Sequence, residues 1–170
     1  MGCGVDTRAF WDESLKGMEA YVEVDAKPVN DYKIKVLEEV KAKEGLPEQV
    51  CERQVISMDF SKESTKDLPA HGLKEMPTCW VLEGLVMYLD VDSVKKMYRE
   101  ICDLSPAGSL VMINIMIGNP ASSPPAAEEV FGEKGWTQGS TIMFGDAEFN
   151  YGRFPNETPN GMMGFIFFQK

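Results

Sequence analysis

The sequence predicts an α/β fold with a mostly parallel sheet. Short strand-like runs of apolar residues alternate with longer segments of helical periodicity, which is typical of parallel α/β units. The 170 residues, 44% of them hydrophobic, suit a single domain, residues 1–170, with a sizeable core. Acidic residues end three successive strand-like runs, at the edge where ligands bind in open α/β sheets. We therefore expect one ligand-binding α/β domain.

The first half contains three predicted strands and one predicted helix. The strands are residues 21–24, 54–58 and 78–82. A helix begins at Pro28 and ends before Gly45. Its apolar residues recur at helical spacing and predict its buried face: Val29, Tyr32, Val36, Leu37 and Val40.

The second half begins with a clearly amphipathic helix over residues 91–104, with Asp90 or Asp92 available as its cap. The run Leu110–Ile117 is almost continuously apolar, as expected of a strand buried on both faces. Beyond it, the pattern predicts a loop that could form part of a lid over 118–125, a short helix over 126–134, an imperfect strand over 136–144 and a final strand over 162–168.

Charge and hydropathy exclude several classes of function. Seventeen basic and 27 acidic residues give a formal net charge of −10, without the basic stripe that nucleic-acid binding requires. The run 110–117 falls far short of a membrane span, and the first residues lack the basic region and apolar core of a secretory signal. We expect a cytoplasmic protein that binds neither nucleic acid nor membranes.

The cysteines and the single histidine make a metal site improbable. The four cysteines are widely spaced without a C-x-x-C pair, and His71 lies in a polar loop, so ordinary zinc-ligand spacing is missing. We expect no metal, and we expect Cys79 and Cys102 to pack in the apolar interior of a protein from a reducing compartment.

Candidate ligand-binding residues gather at the predicted carboxyl edge of the sheet. Gly2 and Gly4 form a glycine turn, and Asp25 ends the first complete strand, 25 − 4 = 21 positions after Gly4. Glycines let the backbone approach a ligand, and a carboxylate after the next strand can accept hydrogen bonds from both ribose hydroxyls. The third glycine of the dinucleotide fingerprint is replaced by Thr7, which counts against a nicotinamide enzyme.

Four strings in this order resemble the leucine carboxyl methyltransferase family. They are G-C-G-V-D-T-R (Gly2–Arg8), V-E-V-D (Val22–Asp25), M-D-F (Met58–Phe60) and L-E-G-L-V-M-Y-L (Leu82–Leu89). The resemblance covers residues 2 to about 115, and the N-Y-G-R string at Asn150–Arg153 continues it weakly.

The resemblance implies a Rossmann-like class I fold that uses S-adenosyl-L-methionine. This fold has a mostly parallel sheet of seven strands with helices on both faces, and its antiparallel last strand would be Met162–Gln169. The resemblance also implies a cofactor site. In it, Gly2 and Gly4 pass beneath the methionyl part, Asp25 holds the ribose, Asp59 and Phe60 border the adenine, and Glu83 lines the methionyl end.

The implied reaction is methyl transfer to a carboxylate or hydroxyl oxygen by in-line displacement. The acceptor would be a small acid or a protein C-terminal carboxylate, and a carboxylate needs alignment and desolvation rather than a general base. Arg8 and Arg153 are candidates to clamp an acidic substrate, although exposed salt bridges are the more common role. Tyr88 and Trp80 fit the substrate side or the core equally well. No residue is assigned as catalytic.

The chain departs from the family at its start. Family members have a helical segment and a central first strand before the glycine turn, whereas this chain begins at the turn. The neighbours of that strand would then present unpaired edges, which favour a homodimer. The loop after Ile117 is also too short for a large recognition insertion, which argues against recognition of a folded protein partner. Two alternatives stay open: a truncated, inactive binding module and, less favoured, an NAD(P)-dependent oxidoreductase.

Overall fold

A computed structural model describes residues 1–146 and 162–170. Within them, strands and α-helices alternate as the sequence predicts for an α/β fold. The strands are β1 (Tyr21–Asp25), β2 (Arg53–Ser57), β3 (Cys79–Leu82), β4 (Leu110–Met116), β5 (Thr137–Met143) and β6 (Met163–Gln169). The α-helices are α1 (Lys27–Lys43), α2 (Val91–Leu104) and α3 (Pro124–Glu133). Short 3-10 segments lie at Arg8–Phe10, Glu13–Leu15, Thr65–His71 and Val86–Tyr88.

The strands form two separate groups. Strands β1 and β2 pair in parallel, and the other four lie in the order β3-β4-β6-β5. Strand β3 is parallel to β4, whereas β6 is antiparallel to both of its neighbours, which confirms the predicted antiparallel last strand. The register of β5 shifts between Gln138 and Thr141, in keeping with its imperfect strand pattern. Among the described residues, β1 and β3 pair with no strand on their facing edges.

The four-stranded group surrounds an aromatic core. The Phe131 ring lies 4.8 Å from that of Phe168 and 5.2 Å from those of Tyr98 and Trp136, measured between centroids. These four side chains are buried, and aromatic pairs at such distances add stability beyond the area they bury. Helix α2 has the predicted bounds and is capped by Asp90, which accepts a hydrogen bond from the Ser93 N–H.

Helix α1 buries a different face from the one that its apolar spacing predicts. Tyr32 is 62% exposed, whereas Asn30 and Lys33 are buried. The reason is the polar surface beneath the helix, because Lys33 Nζ lies 2.8 Å from the buried carboxylate of Glu23 on β1. The prediction of an apolar buried face through Tyr32 and Val36 is therefore wrong.

The prediction for the cysteines is half right. Cys102 is buried, but Cys79 is exposed because its edge of β3 borders open space instead of another strand. Every cysteine is a free thiol. In residues 1–146 and 162–170, no helix is long and apolar enough to span a membrane. No group of His, Cys, Asp and Glu in those ranges could hold a metal ion.

Candidate functional site

The glycine turn at the start of the chain is fixed against β1. Gly2 N–H donates to the Val24 carbonyl at 2.8 Å, and Gly4 N–H donates to Asp25 Oδ2 at 2.7 Å. Both glycines have positive φ, and a Cβ on Gly2 would lie 3.1 Å from Leu85 Cβ. Among residues 1–146 and 162–170, no atom lies within 4 Å of a Cβ on Gly4, so the turn faces open space there. A ligand can therefore approach the backbone at Gly4 closely.

Asp25 is held rigidly at the carboxyl end of β1. Its second oxygen, Oδ1, accepts from the Ala26 N–H at 2.7 Å, where the chain enters α1. The Asn30 side chain donates to the Asp25 carbonyl at 3.1 Å and to the Ile56 carbonyl at 3.0 Å, which ties α1 to both β1 and β2. A carboxylate has about four lone-pair sites, so Asp25 keeps acceptor capacity for ligand hydroxyls.

Arg8 connects the glycine turn to the end of β3. Its guanidinium lies 2.6 Å from Asp6 Oδ2 and 3.1 Å from Glu83 Oε2. Tyr21 also donates to Asp6 Oδ2, at 2.6 Å. Burial acts to raise the pKa of Asp6, but the hydrogen bonds from Arg8 and Tyr21 outweigh it and lower the pKa to about 2. Asp6 is therefore an anion that positions Arg8.

Asp59 and Phe60 follow β2 on the same edge. The Asp59 carboxylate accepts from Lys62 Nζ at 2.7 Å and from the Ser61 hydroxyl at 2.6 Å. The hydrogen bond from Lys62 is the largest cause that lowers the Asp59 pKa to about 2. Phe60 is half-buried and packs against the hydrophobic core. Asp59 is thus part of a local turn, without a hydrogen bond to Asp25 among the described residues.

Two candidate substrate-binding groups contribute less than their sequence positions suggest, since Tyr88 is 80% exposed and Arg8 is already paired with two carboxylates. The third candidate, Arg153, lies outside the described residues. The Cys3 thiol is a poor nucleophile, because burial raises its pKa to about 11. The structure thus brings together Gly2, Gly4 and Asp25 on one side and Arg8 and Glu83 on the other.

Sequence reasoning missed three polar residues that organise this edge. Asp6 and Tyr21 hold Arg8 in place, and Asn30 anchors the strand ends. Asp6 and Arg8 do fall in the G-C-G-V-D-T-R string, which marks them as a pair. Nothing in the sequence pattern indicates Tyr21, because a tyrosine at a strand start is more often a packing residue.

A cleft of about 1080 Å³ lies beside this edge. It runs between β1 and β3, and its lining includes Gly2, Arg8 and Glu83 but neither Gly4 nor Asp25. The cleft and the open space at Gly4 are therefore two different spaces, which adjoin at the glycine turn. The edge at Gly4 combines open space with a carboxylate that keeps lone pairs for the hydroxyls of a ligand.

Comparison with solved structures identifies the fold. The chain superimposes on a TehB-like SAM-dependent methyltransferase from Corynebacterium glutamicum with a TM-score of 0.62, at 14% identity, covering 99% of this chain and 77% of that one. It superimposes on magnesium protoporphyrin IX methyltransferase from Synechocystis, solved with bound SAM, with a TM-score of 0.59, at 10% identity, covering 99% and 67%. The fold is thus the Rossmann-like fold of class I methyltransferases.

Sequence comparison adds curated relatives. The chain is 34% identical over 110 residues to a provisionally named S-adenosyl-L-methionine-dependent methyltransferase of Streptomyces avermitilis, covering 64% of this chain and 37% of that protein. A similarly named protein of Mycolicibacterium smegmatis is 27% identical over 169 residues, covering 84% and 55%. The chain therefore spans only part of the length of the relatives it matches. The sequence model described as leucine carboxyl methyltransferase matches residues 1–102, which contain the glycine turn, Asp25 and Glu83, and the chain belongs to that family.

Proposed function

We propose that this chain binds S-adenosyl-L-methionine at the carboxyl edge of β1 and β3 and transfers its methyl group to an oxygen acceptor. The observation that carries the proposal is the 2.7 Å hydrogen bond between Gly4 N–H and the Asp25 carboxylate, beside open space. This contact places the Gly4 backbone, which a ligand can approach closely, next to the Asp25 carboxylate, which can accept from both ribose hydroxyls. An adenosyl group needs this arrangement.

Each part of the edge has a role in this proposal. The turn at Gly2 and Gly4 passes beneath the methionyl part, and Asp25 accepts from the ribose hydroxyls. Asp59 and Phe60 border the adenine: Phe60 supplies an apolar ring edge, and Asp59 supplies an acceptor for an exocyclic amine. Glu83, held by Arg8 at 3.1 Å, faces the ammonium end of the methionyl group.

The cofactor supplies an electrophilic methyl group on a sulfonium when it is bound. The protein then has to align the acceptor oxygen with that methyl and remove its water, which is a contribution of proximity. A carboxylate acceptor is already ionised at neutral pH, so no proton has to be removed from it. The reaction therefore needs no general base. This suits an edge at which Arg8 is already paired with Asp6 and Glu83.

The proposed acceptor is a carboxylate, on a small acid or at a protein C-terminus. Arg8 already contacts Asp6 and Glu83 through Nε and Nη2, so an acid that it holds would share the guanidinium with these two carboxylates. Transfer to a peptide ending in a free leucine carboxylate, compared with the same peptide amidated, tests the acceptor. A base-labile methyl ester on the free peptide alone supports a carboxylate acceptor, and equal labelling of both peptides contradicts it.

The binding site is tested by calorimetric titration of S-adenosylhomocysteine into the full chain. We expect saturable binding that weakens about 10–100-fold in Asp25→Ala, because charged hydrogen bonds to the ribose are lost. Asp31→Ala is the matched control, since Asp31 is an exposed acid of α1 paired with Lys27. Asp25→Asn retains oxygen and tests whether the charge itself is needed if the alanine variant is unstable.

Two outcomes would overturn the proposal. Equal affinity in the Asp25 and Asp31 variants would move the ligand away from β1. An absence of binding by a folded wild-type chain would leave the alternative of a binding module without methyltransferase activity.

A further inference from the structure

A buried carboxylate of α2 lies against the segment that follows β2. Glu100 is only 5% exposed and belongs to the buried residues of α2, which include Met97 and Ile101. A carboxylate in such a place loses its hydration, and this costs free energy that an apolar side chain would not lose. Hydrogen-bond donors must therefore compensate Glu100, and its donors identify the segment that it holds.

Both oxygens of Glu100 accept hydrogen bonds from the start of the 3-10 segment Thr65–His71. Oε1 accepts from the Ser64 hydroxyl at 2.7 Å, and Oε2 accepts from the buried Thr65 N–H at 2.8 Å. The ammonium of Lys96 lies 3.8 Å from Oε1 and is largely exposed, so this ion pair contributes little. Glu100 is therefore held mainly by the two residues that begin the 3-10 segment.

These two residues follow directly on the turn of Asp59. In this turn, the N–H groups of Lys62 and Glu63 donate to the Asp59 carbonyl at 2.9 and 2.8 Å. The Asp59 N–H donates in return to Glu63 Oε2 at 2.6 Å. These hydrogen bonds are local, so they fix the shape of the turn but not its position on the protein. The next residue, Ser64, bonds to Glu100 and thereby attaches the turn to α2.

Phe60 lies in the same turn and contacts the protein interior near Glu100. Phe60 is half-buried and packs against the hydrophobic core. It also lines a cavity of about 60 Å³ whose other lining residues include Met97 and Glu100. Apolar packing has no preferred direction, whereas two hydrogen bonds to one carboxylate fix both a position and an orientation. The orientation of the turn therefore depends on Glu100 more than on the packing of Phe60.

We propose that Glu100 is a positioning residue for the adenine end of the cofactor site. It acts through Ser64 and Thr65, which hold the preceding turn in place. That turn carries Asp59 and Phe60, which border the adenine in the proposed function. The inference rests on that proposed function and adds to it the side chain on which discrimination of the base depends. Glu100 is assigned no contact with the cofactor itself.

The test compares two ligands that differ only in the base. S-adenosylhomocysteine offers Asp59 the exocyclic amine of adenine, whereas S-inosylhomocysteine presents a carbonyl oxygen there. An acceptor in the correct place should therefore favour the adenine ligand by about tenfold in the wild-type chain, measured by calorimetric titration. In Glu100→Ala we expect this preference to fall to about twofold, because the turn is no longer fixed opposite the base. A general loss of stability would weaken both ligands equally and leave the preference unchanged.

Three further variants separate the role of Glu100 from a loss of fold or charge. Asp103→Asn is the matched control, because Asp103 contacts the same 3-10 segment from α2 through an exposed ion pair with Lys66, at 3.3 Å, and should keep the tenfold preference. Glu100→Gln should keep most of it, since the amide can accept from the Thr65 N–H and donate to the Ser64 hydroxyl. Ser64→Ala removes one of the two hydrogen bonds and should lower the preference to about threefold, which tests the role if Glu100→Ala does not fold.

Failure of this inference and failure of the proposed function give different results. A tenfold preference that persists in Glu100→Ala or, where that variant does not fold, in Ser64→Ala would overturn the role of Glu100 and leave the proposed cofactor site intact. An equal loss of preference in Asp103→Asn would also overturn it, because any charge on α2 would then have the same effect. A wild-type chain that binds both ligands equally would show that Asp59 does not border the base. A folded wild-type chain that binds neither ligand would overturn the proposed function, and this inference with it.

Discussion

The two walls of the cleft belong to regions that are stabilised in different ways. The four-stranded region, β3 to β6 with α2 and α3, encloses stacked aromatic rings around Phe131. The two-stranded region, β1 and β2 with α1, buries Glu23, Asn30 and Lys33. The region that holds the glycine turn and Asp25 is therefore the one held by polar contacts. The two-stranded region depends on a few specific polar pairs, whereas the four-stranded region depends on many dispersed apolar contacts.

The largest expected effect is on the aromatic side. Phe131→Ala should lower the free energy of unfolding by about 3–5 kcal/mol, because it leaves a cavity among three other rings. Urea unfolding measures this, and Ile117→Ala, at an apolar position that is 45% exposed, should change stability by less than about 0.5 kcal/mol. If hydrogen exchange shows that β1 and β2 lose as much protection as β4 and β6, the two regions form one cooperative unit.

The next effect is on the polar side. Lys33 Nζ and Arg53 Nη2 both contact Glu23 Oε2, at 2.8 and 2.7 Å. Glu23→Ala should therefore cost about 3 kcal/mol, because the buried Lys33 and the partly buried Arg53 would lose their common anion. Glu39→Ala is the control, since Glu39 is an exposed acid of α1, the helix that carries Lys33, and lies 4.0 Å from Lys35. Similar unfolding curves for both variants would show that the buried charges contribute nothing specific.

Gly4→Ala tests whether the open space beside Asp25, in the two-stranded region, binds the cofactor. The methyl group would stand in the open space that we assign to the cofactor, so affinity for S-adenosylhomocysteine should fall about tenfold. Gly45→Ala imposes a similar strain, at φ +78 and also with nothing within 4 Å, but lies between α1 and β2 at the other end of the sheet. Equal losses of affinity in the two variants would indicate a general effect of strain.

The smallest effect depends on pH. The pKa of Asp6 is lowered from 3.8 to about 2, so its contribution to stability is present above about pH 4 and is lost as the pH falls through about 2. With solvent screening, the contribution amounts to about 1 kcal/mol. Asp6→Asn should flatten the stability profile between about pH 4 and 2. A profile that keeps its slope would assign the effect to other carboxylates.

The same contrast explains which features the sequence could predict. The bounds of α2 and its Asp90 cap were predictable, because an apolar stripe packs on an apolar core there. The buried face of α1 was not, since apolar spacing carries no information about a buried Glu23 beneath the helix. Cys79 was misjudged for a related reason: its exposure depends on a strand pairing that local pattern does not describe.

The candidate site was predictable in part. Gly2, Gly4 and Asp25 lie where strand-end reasoning places them, and Gly4 contacts Asp25 directly. The pairing of Arg8 with Glu83 was beyond prediction, because it joins residues 75 positions apart across a cleft. The roles of all six residues in binding the cofactor stay predictions: Gly2, Gly4, Asp25, Asp59, Phe60 and Glu83.

The turn at Gly2 has a thermodynamic consequence. Its N–H is bonded to Val24, which borders the cleft, and the same turn places Gly4 on Asp25 at the edge. A ligand that fixes this turn therefore also fixes the end of β1, and the two effects are linked reciprocally. The hydrogen-exchange rates of the Gly2 and Gly4 amides, measured with and without S-adenosylhomocysteine, would show how strongly the ligand orders β1.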